Sequence, residues 1–261
     1  MNRKIVFIDV DGTLYHAHEE SLRDSVHAKL LEASEYVDLY LSTGRGRCVL
    51  SCLGTSIDLF KGFVLTNGTL VLKDNKVLLN KCFEKEVLSQ LIANAEQNDA
   101  IIGLISKDQV FVNKYTPVVD YALYPHFSGS IVELGNYHFD LDKEYNMVWS
   151  FDPNETIDTI TKGLVGVDVF KWGSIGGDIV PKNMTKAIGI KKLLSELNIP
   201  LENTYAIGDS GNDIAMFKLV ENPICMGNGT PQAKMAAKYV TESIDDNGLE
   251  NALDRIIKGE W

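Results

Sequence analysis

The chain has 261 residues, a formal net charge of −11, 45% hydrophobic and 23% charged residues. This composition excludes a disordered chain, a collagen-like fibre and a membrane-spanning protein, and the length predicts one large or two modest domains at roughly 150 residues each, needing neither disulfide nor structural metal to fold. An acidic surface repels phosphodiester backbones, which argues against nucleic acid as a partner but leaves room for one local cationic pocket that holds a phosphate.

Residues 4–8 (KIVFI) form an apolar, β-branched run without alternation, the pattern of a strand buried on both faces of a parallel sheet. The run stops at DVDGT, where Gly12 permits a sharp turn. Residues 21–35 carry Leu22, Val26, Leu30 and Leu31 at helical spacing. A second strand over 37–41 ends at Ser42-Thr43-Gly44-Arg45, and a third over 63–65 ends at Thr66-Asn67-Gly68-Thr69. The alternation of strand, loop and helix predicts a doubly wound α/β core.

The middle of the chain reads differently. Short strands are expected at 69–72, 76–79, 101–105, 109–112, 146–151 and 168–172, with helices near 84–97 and 155–165. Asp74-Asn75 has the residues of a hairpin turn between two of these strands. Trp149 and Trp172 fall in apolar strands and fit a core role better than a sugar-stacking platform. After Asn183 the first pattern resumes: a helix over 185–197, a strand over 204–207 ending at GDSGND, a further strand through Ile224-Cys225-Met226-Gly227, and a last helix over 248–257. The two ends of the chain therefore make one doubly wound parallel-sheet domain, residues 1–80 and 182–261, with an α+β domain over 81–181 inserted in it.

Cys48, Cys52, Cys82 and Cys225 form no CxxC pair and no zinc-finger spacing. Cys48 and Cys52, four apart, are expected on one helix face, and all four are expected to be inert thiols. The amino-terminal apolar run meets Asp9 and Asp11 almost at once, too early for a signal peptide, and no stretch approaches the roughly 18 apolar residues of a membrane span. The expectation is a soluble, cytoplasmic, reduced protein with no membrane partner.

Open α/β sheets bind ligands beyond the carboxyl ends of their strands. Four predicted strands end in polar clusters: Asp9/Asp11/Thr13, Ser42/Thr43/Arg45, Asn67 and Asp209/Asn212/Asp213. If the strands are neighbours, four aspartates converge on one crevice and repel one another. A hard divalent cation with oxygen ligands relieves that repulsion, and Mg2+, which binds through a few carboxylates, waters and substrate phosphate, fits best.

Taken together, DVDGT after an amino-terminal strand, STGR, a later lysine in MTKAIGI and GDSGND resemble the haloacid dehalogenase superfamily of phosphotransferases. The long interval between Thr43 and Lys186, and the tail from ICMGNG onward, are similar to its Cof-type branch (subfamily IIB), whose Rossmann-like core carries a large α+β cap of type C2B. That resemblance implies a Mg2+-dependent phosphatase acting on small phosphorylated metabolites, such as sugar phosphates, as a monomer or homodimer. It implies Asp9 as the nucleophile that forms an aspartyl-phosphate and Asp11 as general acid and then base. It further implies Thr43 and the Gly44 N–H as holders of phosphoryl oxygens, and Lys186 as the cation that steadies the charged transition state. The metal ligands it implies are Asp9, Asp11 through its backbone carbonyl, and Asp209, with Asp213 one layer behind.

Thr13 is expected to support Asp9 or Asp11. Arg45 fits either a substrate phosphate or a structural carboxylate. Asn67 and Asn212 are expected at the substrate, and Asn228 either lines the site or serves a turn. His16 and His18 are expected as solvated residues of the loop after the nucleophile. Lys182 competes with Lys186 for the lysine position, and the spacing to the following helix favours Lys186. Ala187 departs from the glycine that many relatives carry there. Loop residues near 120–128 or 173–178 are expected to set specificity. Two other readings of the same residues are a phosphosugar mutase and a catalytically silent phosphate-binding regulator.

Overall fold

The computed structural model describes residues 3–16, 19, 21–74, 76–123 and 131–261. In chain order the elements are β1 (Lys4–Ile8), α1 (Asp24–Tyr36), β2 (Val37–Ser42), β3 (Gly62–Leu65), β4 (Leu70–Lys73), β5 (Lys76–Asn80), α2 (Lys85–Gln97), β6 (Ile102–Ile105), β7 (Val110–Val112), α3 (Pro117–Leu123) and β8 (Ile131–Glu133). They continue with β9 (Met147–Pro153), α4 (Asn154–Thr161), β10 (Val167–Lys171), β11 (Ile175–Pro181), α5 (Lys186–Leu197), β12 (Thr204–Gly208), α6 (Ile214–Phe217), β13 (Asn222–Cys225), α7 (Pro231–Ala236), β14 (Tyr239–Val240) and α8 (Gly248–Lys258). The chain divides into two compact units, one of residues 1–44, 52–79 and 185–261, the other of 45–51 and 80–184.

The first unit is built on an eight-stranded sheet in the order β14-β13-β12-β1-β2-β3-β4-β5. Its strands β14 to β3 pair in parallel, and β4 turns back antiparallel to β3. From β1 the chain winds outward through β2 and β3. On its return it enters beside β1 as β12 and winds the other way. The direction of winding thus reverses between β1 and β12, where open α/β sheets form their crevice. Register aligns Ile8 with Leu41 on one side and with Ile207 on the other, so the residues just past these strand ends lie side by side.

The unbroken apolar runs have the expected cause. Val6, Phe7 and Ile8 are fully buried, as are Leu41, Val64, Ala206 and Ile207. On one face Ile5, Phe7, Tyr40 and Val64 pack with Ile190, Leu193 and Leu194 of α5 and with Phe217 of α6. Elsewhere in this unit α1 packs against α8. Helix α5 starts where Thr185 accepts the Ile188 N–H in its side-chain oxygen, and it stops at Asn198 in the left-handed conformation.

The second unit has a six-stranded sheet in the order β10-β11-β9-β6-β7-β8, antiparallel except for the β7–β8 pair. Leu88, Leu91 and Ile92 of α2 and Ile160 of α4 cover one face, packing on Ile102, Leu104, Val148 and Ile179.

Several expectations differ from what is seen. Residues 173–178 are not a free loop: from Ile175 onward they form β11, paired on both sides. Trp149 is buried as expected, but Trp172 is 45% exposed, just past β10, and donates its indole N–H to Asp178. Cys48 and Cys52 do not share an α-helix. They fall in separate 3-10 segments, Arg47–Val49 and Ser51–Leu59, parted at Leu50. The turn between β4 and β5 has the expected two-residue length and places Asp74 in the left-handed region; Asn75 lies outside the described residues, as do His18 and residues 124–128. No helix among the described residues is long and apolar enough to cross a membrane.

Candidate active site

Asp9 follows the last residue of β1, and its backbone N–H donates to the Ile207 carbonyl of β12 at 3.0 Å. Its side chain is nearly buried, at 4% exposure. The Lys186 ammonium, itself buried, donates to Asp9 Oδ1 at 2.7 Å and to Asp213 Oδ1 at 2.6 Å. Asp213 is thereby fixed from both ends, because its Oδ2 accepts the backbone N–H groups of Asp209 and Ser210, each at 2.9 Å. The aspartate also closes a capping box with Ser210 over the GND turn. Sequence reasoning passed over Ser210; the Ser-x-x-Asp spacing was its signal.

The charges are tightly interdependent. Burial pushes the Asp9 carboxyl well above its ordinary range, and the charge of Asp213 adds to the rise while Lys186 opposes it. Burial likewise pushes Asp209 up to about 7, with Asp213 contributing. For Lys186, burial acts to lower the pKa, yet the adjacent Asp213 and Asp9 hold it above the usual lysine value, so the ammonium stays charged.

One oxygen from each of Asp9, Asp209 and Asp213 lies within 4.8 Å of the others, with no histidine or thiol among them. Asp209 Oδ1 is buried and has no hydrogen-bond partner among the described residues. A buried carboxylate oxygen left unsatisfied is costly and calls for a cation or another donor. Hard oxygen donors at this spacing fit a divalent cation of the magnesium type. Gly12 explains how the DVDGT turn can close on Asp209. Its φ is +75°, and a Cβ there would lie 2.6 Å from Asp209 Oδ2.

The other sequence candidates are distributed as follows. Asp11 is exposed at the turn, pairing in a β-bridge with Tyr15. Thr43 is buried at the end of β2, its N–H bound to the Val64 carbonyl at 2.9 Å. Gly44 follows it, half-buried. Arg45 Nη1 donates to the Val49 carbonyl at 3.0 Å. Asn67 is buried, and its side-chain oxygen accepts from Asn212 Nδ2 at 3.0 Å. Asn228 donates from Nδ2 to the Gly12 carbonyl at 2.8 Å and accepts the Ile244 N–H, clipping the DVDGT turn to the loop before α8. Lys182 is exposed and paired with Asp168, so Lys186 is the lysine at Asp9. His16 is partly exposed and near Asp245 at 3.4 Å. The Thr13 hydroxyl does not support either aspartate. It is buried without a partner among the described residues, and Thr13 joins the turn through its backbone N–H to Val10. The four cysteines are free, and burial raises Cys48 and Cys82 to about 11 and Cys225 to about 12.

A buried aspartate–lysine–aspartate chain thus crosses the switch point of a doubly wound sheet, from the DVDGT turn to the GDSGND loop. The chain matches the haloacid dehalogenase-like hydrolases over residues 6–253 and belongs to that family. It is 25% identical over 263 residues to YkrA of Bacillus subtilis, with 98% of each chain covered. It is also 25% identical over 260 residues to phosphoglycolate phosphatase 1 of Saccharolobus solfataricus, covering 99% of this chain and 97% of that one. Its fold matches that of the subclass IIB sugar phosphatase BT4131 with a TM-score of 0.86 at 23% identity, over 97% and 98% of the two chains. Membership in this hydrolase family, with relatives named as phosphatases, bears out the expected enzyme class, a phosphoric monoester hydrolase.

Proposed function

We propose that the protein is a Mg2+-dependent phosphatase of small phosphomonoesters, sugar phosphates or related metabolites, that works through an aspartyl-phosphate at Asp9. The observation that carries this reading is the buried Lys186 ammonium, held 2.7 Å from Asp9 and charged by its two aspartate partners. A carboxylate this buried loses nucleophilicity if it protonates, and the lysine opposes that. The names of the phosphoglycolate and sugar phosphatases support the substrate class.

The residues divide the work as follows. A carboxylate oxygen of Asp9 attacks phosphorus as the ester P–O bond breaks, and Asp11 gives its proton to the departing alkoxide. Asp11 then takes a proton from water, which attacks the aspartyl-phosphate, restores Asp9 and releases orthophosphate. The exposure of Asp11 suits a group that must reach the leaving oxygen. The Thr43 hydroxyl and the Gly44 N–H orient the phosphoryl oxygens, and Lys186 offsets the charge that builds on them. Asp9, Asp209 and the Asp11 backbone carbonyl would hold Mg2+, while Asp213 positions Lys186 and the Asp209 loop. Bound there, the ion supplies a template and charge neutralisation for the phosphoryl group.

The test is phosphate release from a panel of phosphorylated metabolites, with Mg2+ and after chelation. Activity that disappears with the cation and in Asp9→Asn, while the variant melts as a folded protein, is the expected result. Near-normal hydrolysis by Asp9→Asn would overturn the covalent route. Recovery of isomerised sugar phosphate in place of orthophosphate would make the protein a mutase.

A further inference from the structure

The turn after β3 is an unusual piece of backbone. Thr66, Asn67 and Gly68 all have positive φ, at 48°, 53° and 93°. Only glycine takes this region freely. Asparagine tolerates it, and a β-branched threonine avoids it. The conformation is held by side chains: the Thr66 and Thr69 hydroxyls lie 2.5 Å apart, and Thr69 Oγ1 also donates to the Thr66 carbonyl at 3.0 Å. All four residues of the turn are buried.

Backbone kept in a disfavoured region points to a task there, and the contacts of the turn show what the task is. The Asn67 N–H donates to the Thr43 carbonyl at 3.1 Å. The Asn67 side-chain oxygen accepts from Asn212, one residue before Asp213. A Cβ on Gly68 would lie 2.1 Å from the carbonyl of Thr185, the residue that caps α5 immediately before Lys186. Gly189, one turn into α5, also packs closely, since its own Cβ would lie 3.0 Å from Gly68 Cα. A single left-handed turn therefore touches the loop of Thr43, the helix start of Lys186 and the loop of Asp209 and Asp213.

We infer that this turn sets the mutual placement of those three loops, and that Asn67 and Asn212 act as one positioning pair through their amide hydrogen bond instead of contacting substrate. The inference rests on the phosphatase reading for its kinetic consequences, but not for the pair itself. The left-handed backbone fixes Asn67 so that its main chain meets Thr43 and its side chain meets Asn212. The acidic loop is then registered to the strand that carries Thr43.

The test compares Asn67→Gly, Asn212→Ala and the double variant. Glycine keeps the positive φ without strain and removes only the amide. With p-nitrophenyl phosphate and Mg2+, each single variant should lose about 10²-fold in kcat, the scale of a small misplacement of reacting groups. KM should stay within about twofold, and the double variant should be no worse than either single. Urea unfolding of the same set should show the same non-additivity, and that readout holds whether or not the chain hydrolyses the ester. Additive losses in both readouts, or a rise in KM with kcat unchanged, would overturn the inference, the latter in favour of substrate contact. If the wild type hydrolyses nothing, the phosphatase reading fails, and the unfolding cycle alone decides whether the pair is coupled. If Asn67→Gly does not fold, Asn212→Ala, altered at a half-buried position, carries the kinetic test through its split between kcat and KM.

Discussion

Replacing Lys186 with methionine removes a charge and little volume. The ammonium sits between Asp9 and Asp213 with its side chain fully buried. Two unit charges about 4 Å apart attract by roughly 4 kcal/mol at an effective dielectric constant near 20. Two such pairs are opposed by the desolvation of the ammonium, so the gross attraction is not the net loss. Removing one partner of a buried ion pair typically costs about 3–5 kcal/mol, because the other charge stays uncompensated. At about 2–4 °C per kcal/mol for a domain of this size, Lys186→Met should lower Tm by roughly 6–20 °C. The decisive assay repeats the substitution in an Asp9→Asn, Asp213→Asn background, where the lysine would be a buried cation without a partner. There the methionine should be neutral or stabilising, since a swap of similar volume costs less than about 1.5 kcal/mol. An equal loss in both backgrounds would show that Lys186 acts through packing and would refute the electrostatic account.

Gly12→Ala puts a Cβ within 2.6 Å of Asp209 Oδ2 at a φ of +75°. It should cost about 1–3 kcal/mol, read by urea unfolding, and raise the Mg2+ concentration needed for half-maximal activity. Glu242 is pulled from its ordinary 4.5 to about 2, first by its hydrogen bond with Arg255. Because its folded pKa is depressed, its contribution is fully present above pH 4.5 and is lost as the pH falls towards 2. Glu242→Gln should therefore flatten the dependence of Tm on pH in that window, modestly, since the side chain is 39% exposed. Burial raises the Cys48, Cys82 and Cys225 thiols and so shrinks further their already small thiolate fraction at neutral pH. Their reaction with a thiol reagent at pH 7.5 should be slow in the folded protein and should accelerate sharply in denaturant, as followed by absorbance.

The parallel core was legible because a strand buried on both faces leaves a run such as KIVFI with no polar break, and because the runs end in polar, glycine-containing turns (DVDGT, STGR, TNGT and GDSGND). That Lys186 and not Lys182 lies at Asp9 was legible too, through its spacing to the following helix. Strand β11 was not. Its sequence IGGDIVP has two glycines and a proline, and it is a strand because β9 and β10 pair with it, not because of its own propensity. The four-residue spacing of Cys48 and Cys52 suggested a helix face, but the backbone parts at Leu50 into two 3-10 pieces. The Asn67–Asn212 bond joins residues 145 positions apart, and no local periodicity encodes such a pairing. The Thr13 hydroxyl was misjudged because residue type shows that a group can donate a hydrogen bond but not where it points.

The pairing of Ile5 with Thr204 has a consequence for biosynthesis. The first strand leaves the ribosome about 200 residues ahead of its neighbour, an interval of roughly 10–40 s at ordinary elongation rates of about 5–20 residues per second. During that time one edge of the nascent strand has no companion, and Asp9 has neither its lysine nor its acidic loop. The assembled cluster thus arrives late in translation, and a prematurely terminated polypeptide would carry Asp9 without Lys186 or the GDSGND loop.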